Sequence, residues 1–204
     1  VNSNNTVNII YNIERGDKAL IKEIKFIGDK RFKDRKLHSI ITTEESKFWK
    51  FLSSGKYLDA SRINLDKRLL KNFYLNKGYY QVNIENAYTQ ILDKTNFSLV
   101  FKIDAGKKFI FNDLKFIIPD DFDKDKFNDV TRIFEELKNS TYSNRKIEKI
   151  LDEIEVISMQ ENYEFIDAKV KETIVDDNKV DFTFFIKESE KFYVERINIF
   201  GNNI

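Results

Sequence analysis

One strand-like segment occurs three times in this chain, and that repeat constrains what the sequence can fold into. The copies are residues 18–32 (KALIKEIKFIGDKRF), 107–122, and 190–204 (EKFYVERINIFGNNI). Each follows a junction that closes an earlier strand: Ile13-Glu14-Arg15-Gly16, Ile103-Asp104-Ala105-Gly106 and Ile186-Lys187-Glu188-Ser189. Gly16 to Ile24, Gly106 to Leu114 and Ser189 to Ile197 are each 8 residues apart, although the sequence between them diverges. A fixed register under diverging sequence marks a modular array. The period is 90 residues from Ile24 to Leu114 and 83 from Leu114 to Ile197. That is too long for a solenoid unit and right for a small independent domain.

A second match lies inside each period. Tyr57, a helical stretch and Gly78-Tyr79 in the first are answered by Tyr142, a helical stretch and Asn162-Tyr163 in the second. The spacings are 21 and 20 residues. Gly and Asn are the residues that most readily take left-handed backbone angles. Gly78 and Asn162 therefore read as helix C-caps placed directly before a strand.

The pattern between these landmarks predicts an α+β chain of tandem β-α-α-β-β domains, each a three-stranded mixed sheet with two helices on one face. The expected division is 1–16, the last strand of a truncated domain; 17–106 and 107–189, two complete domains; and 190–204, the first strand of another. In the first complete domain, a strand over 20–27 ends at Gly28-Asp29. A short helix follows near 33–42, then a longer one over 58–76 with Leu65, Leu69 and Phe73 as its apolar line, flanked by Leu70 and Tyr74. Strands over 79–88 and 97–104 join through Asp93-Lys94-Thr95-Asn96. Phe97, Leu99, Phe101 and Ile103 alternate along one face of the latter. In the second domain, a strand over 109–118 leads to helices over 123–138 and 143–160. The second helix carries Ile147, Ile150, Leu151, Ile154 and Ile157 at half-buried helix spacing. Strands over 164–174 and 180–188 close it around Asp176-Asp177-Asn178.

Composition excludes more than it selects. Lys+Arg 35 against Asp+Glu 34 leaves no argument for a polyanionic partner, so no nucleic acid is expected. Cysteine is absent, and no apolar run approaches the roughly 18 residues of a membrane span. His38 is the only histidine and reads as a surface helix residue; with no Cys beside it, no metal site is expected. Glu135-Glu136, Asp120-Asp121 and Asp176-Asp177 are sequence neighbours, in a helix or in turns, and do not face one another as acid–base pairs do. No phosphate loop and no nucleophile arrangement stands out. The expectation is a non-enzyme without cofactors.

The tandem β-α-α-β-β order resembles the POTRA domain family, in the form found in outer-membrane β-barrel assembly factors of Gram-negative bacteria. The resemblance rests on Ile24-x-Phe26-x-Gly28 and Ile197-x-Ile199-x-Gly201-Asn202 in the opening strands. It also rests on Phe48-Trp49 before Tyr57, on Phe73-Tyr74-x-x-x-Gly78-Tyr79, and on Lys191-Phe192-Tyr193-Val194-x-Arg196-Ile197. It covers almost the whole chain and implies the end of a second domain, all of the third and fourth, and the start of a fifth. Ile118-Pro119 departs from the pattern where Gly28 and Gly201 stand, so the turn there is expected to be built differently. Asn162 and Ser189 also replace glycines.

The resemblance implies a periplasmic interaction scaffold. Its partners would be unfolded outer-membrane protein clients, accessory lipoproteins of the assembly complex and a membrane barrel C-terminal to this segment. It further implies that the first strand of each sheet pairs with the last, leaving the middle strand at the edge. An edge strand offers unpaired N–H and C=O groups to a guest strand. The candidate docking edge is therefore Tyr80, Gln81, Val82, Asn83, Ile84, Glu85 and Asn86, which has no Pro and a single charge. The second domain's edge, with Glu164, Asp167, Lys169, Lys171 and Glu172, is better protected against pairing. Phe48, Trp49 and Phe51 form a possible partner-contact loop or a lid over the helices. Tyr57 and Tyr142 are expected to pack on their own helices. Two alternatives stand beside this reading: the POTRA region of a TamA-like or two-partner-secretion transporter, and an unrelated α+β enzyme.

Overall fold

The computed structural model describes residues 18–47, 55–163 and 166–188. They fall into two compact units: residues up to Leu70 together with Ile84–Asp104, and Lys71–Asn83 together with the residues from Ala105 onward. The expected boundary near residue 107 follows the repeat; the compact units also divide inside the long helix of the first repeat.

The first repeat runs β1 (Leu20–Asp29), α1 (Asp34–His38), α2 (Ala60–Leu75), β2 (Asn83–Ile91) and β3 (Asn96–Asp104). The second runs β4 (Ile110–Ile117), a 3-10 turn (Lys124–Phe127), α3 (Asn128–Leu137), α4 (Asn144–Gln160), β5 (Ile166–Asp176) and β6 (Lys179–Glu188). The strand orders are β1-β3-β2 and β4-β6-β5. β1 pairs parallel with β3, β4 pairs parallel with β6, and β5 pairs antiparallel with β6. The last strand of each repeat is central, which explains its apolar content: Leu99, Phe101 and Ile103, and likewise Val180, Phe182, Phe184 and Ile186, are buried. Ser98 and Val100, which alternate onto the other face, are buried as well; a central strand is flanked on both sides by neighbouring side chains. β1 extends through Gly28, whose φ is +88° and where a Cβ would stand 2.3 Å from the Ile103 carbonyl oxygen. Only glycine tolerates that approach.

α2 centres its inward face on the flank of the line the pattern suggests, with Leu69 and Phe73 half-buried. Leu65 is 38% exposed, whereas Asp66, Leu70 and Tyr74, spaced four apart, are fully buried. The buried carboxylate of Asp66 accepts from Thr42 N (2.6 Å), Thr42 Oγ1 (2.7 Å) and Thr43 N (3.1 Å). It thereby fastens the segment after α1 to the long helix, and the polar residue is satisfied rather than exposed. α1 is shorter than expected, and His38 is half-buried, with its ring edge-on to Phe26 at 5.1 Å. The surface reading of that histidine is corrected: the aromatic contact holds it against β1.

α4 presents Ile147, Ile150, Ile154 and Ile157 to a core that also contains Phe134 of α3 and Phe182 and Phe184 of β6. After Pro119, Phe122 stacks on Tyr163 at 3.8 Å, and the Tyr163 hydroxyl oxygen accepts from Asp123 N at 2.8 Å. Asp123 then caps the 3-10 turn by accepting from Asp125 N. This is the different turn that Ile118-Pro119 calls for.

Candidate functional site

The candidate site begins at the end of α2. Tyr79 N donates to Tyr74 O at 3.1 Å and Gly78 N to Leu75 O at 3.2 Å, with Gly78 at φ +93°. α4 ends in the same way: Tyr163 N donates to Ser158 O at 2.9 Å and Asn162 N to Met159 O at 3.2 Å, with Asn162 at φ +60°. Both are Schellman caps, and a left-handed residue is what the geometry requires. In the first, Tyr79 also lies 5.7 Å from Tyr74, ring to ring.

The chain does not become extended directly after Gly78. Tyr80 N donates to Gly78 O at 3.0 Å and Val82 N to Tyr79 O at 3.2 Å, so Tyr80, Gln81 and Val82 form a turn. The strand starts at Asn83, and the expected start at 79 is corrected. The Tyr80 and Val82 donors, spent on this local turn, are not available to a guest strand. Tyr80 instead packs 5.3 Å from Phe109 and edge-on to Tyr142 at 5.0 Å, and its hydroxyl donates to Glu172 Oε2. Burial, then the bond and the charge of Glu172, raise its pKa. Tyr142 is buried among Phe111, Phe182 and Tyr80 as well as touching Asn144 at the start of α4; burial raises its pKa too. Tyr57 lies under Lys18 Nζ at 4.9 Å and bridges to Leu20.

From Asn83 onward the segment behaves as an edge strand. Ile84 points into the core, while Asn83 and Glu85 are exposed, and Asn86 continues the strand. Glu85 pairs with Lys102 on β3 at 2.6 Å, which raises the lysine's pKa. Among the described residues, the outer side of β2 has no backbone partner. The opposite edge of the same sheet differs: Ile21 N donates to Lys56 O, Leu58 N to Ala19 O and Ser46 N to Ile21 O. In the second sheet, β4 is covered likewise by Phe111 N to Ser140 O, Asn139 N to Phe111 O and Tyr142 N to Phe109 O. β5 is its open edge. Its Asp167 and Lys169 pair at 2.8 Å, and Glu172 is occupied by Tyr80.

Phe48, Trp49 and Phe51 lie outside the described residues, as does Glu164. The acidic doublets lead to lysines: Asp120 to Lys124 at 3.3 Å, Asp176 to Lys179 at 3.7 Å and Asp177 to Lys107. Among the described residues no cluster of three His, Cys, Asp or Glu side chains is arranged for a metal, and no helix is long and apolar enough to cross a membrane. Sequence reasoning missed Asp66, because a carboxylate at a stripe position reads as a solvent face. The one available signal was its spacing of four from Leu70.

Two sheets with paired helices, central last strands and open middle strands define a class. Residues 19–106 match the POTRA family, described as a surface antigen variable number repeat, and the residues that follow repeat the same sheet order. The chain is similar to BamA, the outer membrane protein assembly factor. It is 29% identical to that of Buchnera aphidicola over 98% of this chain and 32% of the relative, and 26% identical to that of Neisseria meningitidis over 98% and 25%. It thus spans about a third or less of the length of these curated relatives. The crystal structure of POTRA domains 3–5 of Haemophilus influenzae BamA covers 94% of this chain and is itself covered over 75%, with a TM-score of 0.69 and 17% identity.

Proposed function

We propose that this chain is a periplasmic interaction segment of an outer-membrane protein assembly factor, and that β2 from Asn83 onward takes up strands of unfolded client proteins by backbone pairing. The observation that carries this is the asymmetry of the first sheet: β1 is covered by its own chain, while β2 is open and holds one charged side chain, Glu85, already paired with Lys102. An open edge of unpaired backbone groups binds extended segments of many sequences, which suits a factor with diverse β-rich clients. Accessory lipoproteins and a membrane barrel complete the proposed setting, as in assembly factors of this kind.

The test uses neighbouring prolines. Successive N–H groups point to opposite sides of a strand, so Glu85→Pro and Asn86→Pro affect opposite sides. The inward one loses a ladder bond and is expected to melt earlier, by about 3 kcal/mol. The outward one keeps its melt and loses affinity for a labelled alternating apolar–polar peptide taken from an outer-membrane barrel strand. Undiminished peptide binding by the outward variant would rule the edge out.

A further inference from the structure

A second surface lies on the helical side of the first unit. An open depression of about 590 Å³ runs along the first turns of α2, lined by Thr42, Gly55, Ser61, Arg62, Leu65 and Arg68, with Glu44 and Asp59 at its wall. It is closely built. Asp59 caps α2 by accepting from Arg62 N at 2.9 Å. At Gly55 a Cβ would stand 3.0 Å from Arg62 Nη1 and 3.2 Å from Thr42 O, so a larger residue there would displace the guanidinium.

The two arginines are what this surface offers a partner. Some basic side chains elsewhere are paired with carboxylates: Arg31 with Asp29 at 2.7 Å, Lys126 with Glu161 at 3.1 Å, Arg132 with Asp129 at 3.2 Å. Arg62 and Arg68 pair with no carboxylate among the described residues. The only acid within α2, Asp66, is buried and committed to Thr42 and Thr43. The corresponding helix α4 carries Glu148, Asp152, Glu153 and Glu155, so a basic face is not a requirement of the fold. Between the two arginines sits Leu65, 38% exposed.

We propose that this depression docks an acidic amphipathic helix of a partner protein. Two carboxylates would meet Arg62 and Arg68, and an apolar side chain between them would cover Leu65. Arg62, Leu65 and Arg68 follow one another at helical spacing, so the two arginine Cα atoms lie about 9 Å apart along the axis. Glutamates seven apart on a partner helix, with leucine between, match that span. Arginine suits the role because its planar fork holds a carboxylate through two bonds. Asp59 selects against broad anionic surfaces: a lipid headgroup layer or a nucleic-acid backbone would press phosphates against it, whereas a sparse helical pattern of acids avoids it. This surface shares no residue with the β2 edge, so the two proposals stand or fall separately.

The experiment is fluorescence anisotropy of the full chain with a labelled peptide of about fifteen residues, long enough to populate a helix, repeating Glu-x-x-Leu-x-x-x-Glu. Binding is expected to weaken as salt rises, and to fall at least about tenfold in the Arg62→Glu/Arg68→Glu variant through loss of two charge-assisted contacts. A peptide with lysine in place of glutamate is expected to prefer that variant, which a merely structural effect would not produce. If the reversed variant does not keep its circular-dichroism melt, Arg62→Gln/Arg68→Gln provides the same comparison. Equal peptide affinity in wild type and a folded variant overturns the proposal. So does wild-type binding to phosphatidylglycerol vesicles in preference to the peptide, with that binding lost in the variant.

Discussion

At Gly78 and Asn162 the same backbone conformation is met by two residue types in two different surroundings. A Cβ at Gly78 would stand 2.6 Å from Thr141 Cγ2, whereas at Gly28 the obstacle is a carbonyl oxygen at 2.3 Å. A methyl group can rotate or be removed; a backbone oxygen in a sheet cannot. Gly78→Ala is therefore expected to cost about 1–2 kcal/mol in urea melts, part of it recovered in the Gly78→Ala/Thr141→Ala double variant. Gly28→Ala should cost more, with no single-residue rescue. Asn162→Gly is expected to leave the melt within a few tenths of a kcal/mol. Asp66→Ala strands Thr42 and Thr43 donors and is expected to cost about 3 kcal/mol, the scale of hydrogen bonds to a charged group. The caps were legible because only two residue types serve a left-handed position and both stood at matching spacings. Asp66 was not, since burial of a charge is decided by partners 23 and 24 residues away in sequence.

Among elements, the strands and long helices were readable from periodicity, most of their starts to within a residue or two, with β2 the exception. Apolar alternation located β3 and β6, and heptad-like spacing located α4. The start of β2 depended on whether Tyr80 would extend or turn, and its aromatic seat beside Phe109 and Tyr142 settles that through packing invisible to local pattern. The facing of α2 was read in part: Leu70 and Tyr74 are buried and Leu69 and Phe73 half-buried, but hydrophobicity alone puts Leu65 inside in place of Asp66. The hairpin after β2 offers a pH test. The Asn96 side-chain amide, then Thr95 N and Asn96 N, bond to the Asp93 carboxylate and hold its pKa below the ordinary value of 3.8. A depressed folded pKa gives stability that is present above the unfolded value and is lost as pH falls through the folded one. The melting temperature of wild type should thus converge on that of Asp93→Asn as pH drops below about 4, and the two should differ at neutral pH.

For the whole molecule, the repeat predicts two domains in tandem, and the described residues form two compact units whose division also passes through the first repeat. Lys71–Asn83 groups with the residues from Ala105 onward, and Leu75 and Tyr80 pack on the core that includes Phe109, Phe111 and Tyr142. A fragment starting at residue 107 is therefore expected to melt below one starting at residue 71. In the full chain, Tyr80→Ala should cost about 2 kcal/mol, as a half-buried aromatic does, while Tyr80→Phe, which keeps the ring and drops the Glu172 bond, should cost less than half of that. Equal melting of the two fragments would show that the segment contributes nothing there.

The covering of β1 and β4 by their own chain has a bearing on stoichiometry. A sheet open on both sides can pass strand pairing onward, guest upon guest, and grow. Here each sheet has one side already occupied by covalent neighbours, so strand pairing can extend it from the other side alone. Under the uptake proposed at β2, the carrier stands at the end of any strand ladder and cannot become an interior strand of a growing fibre.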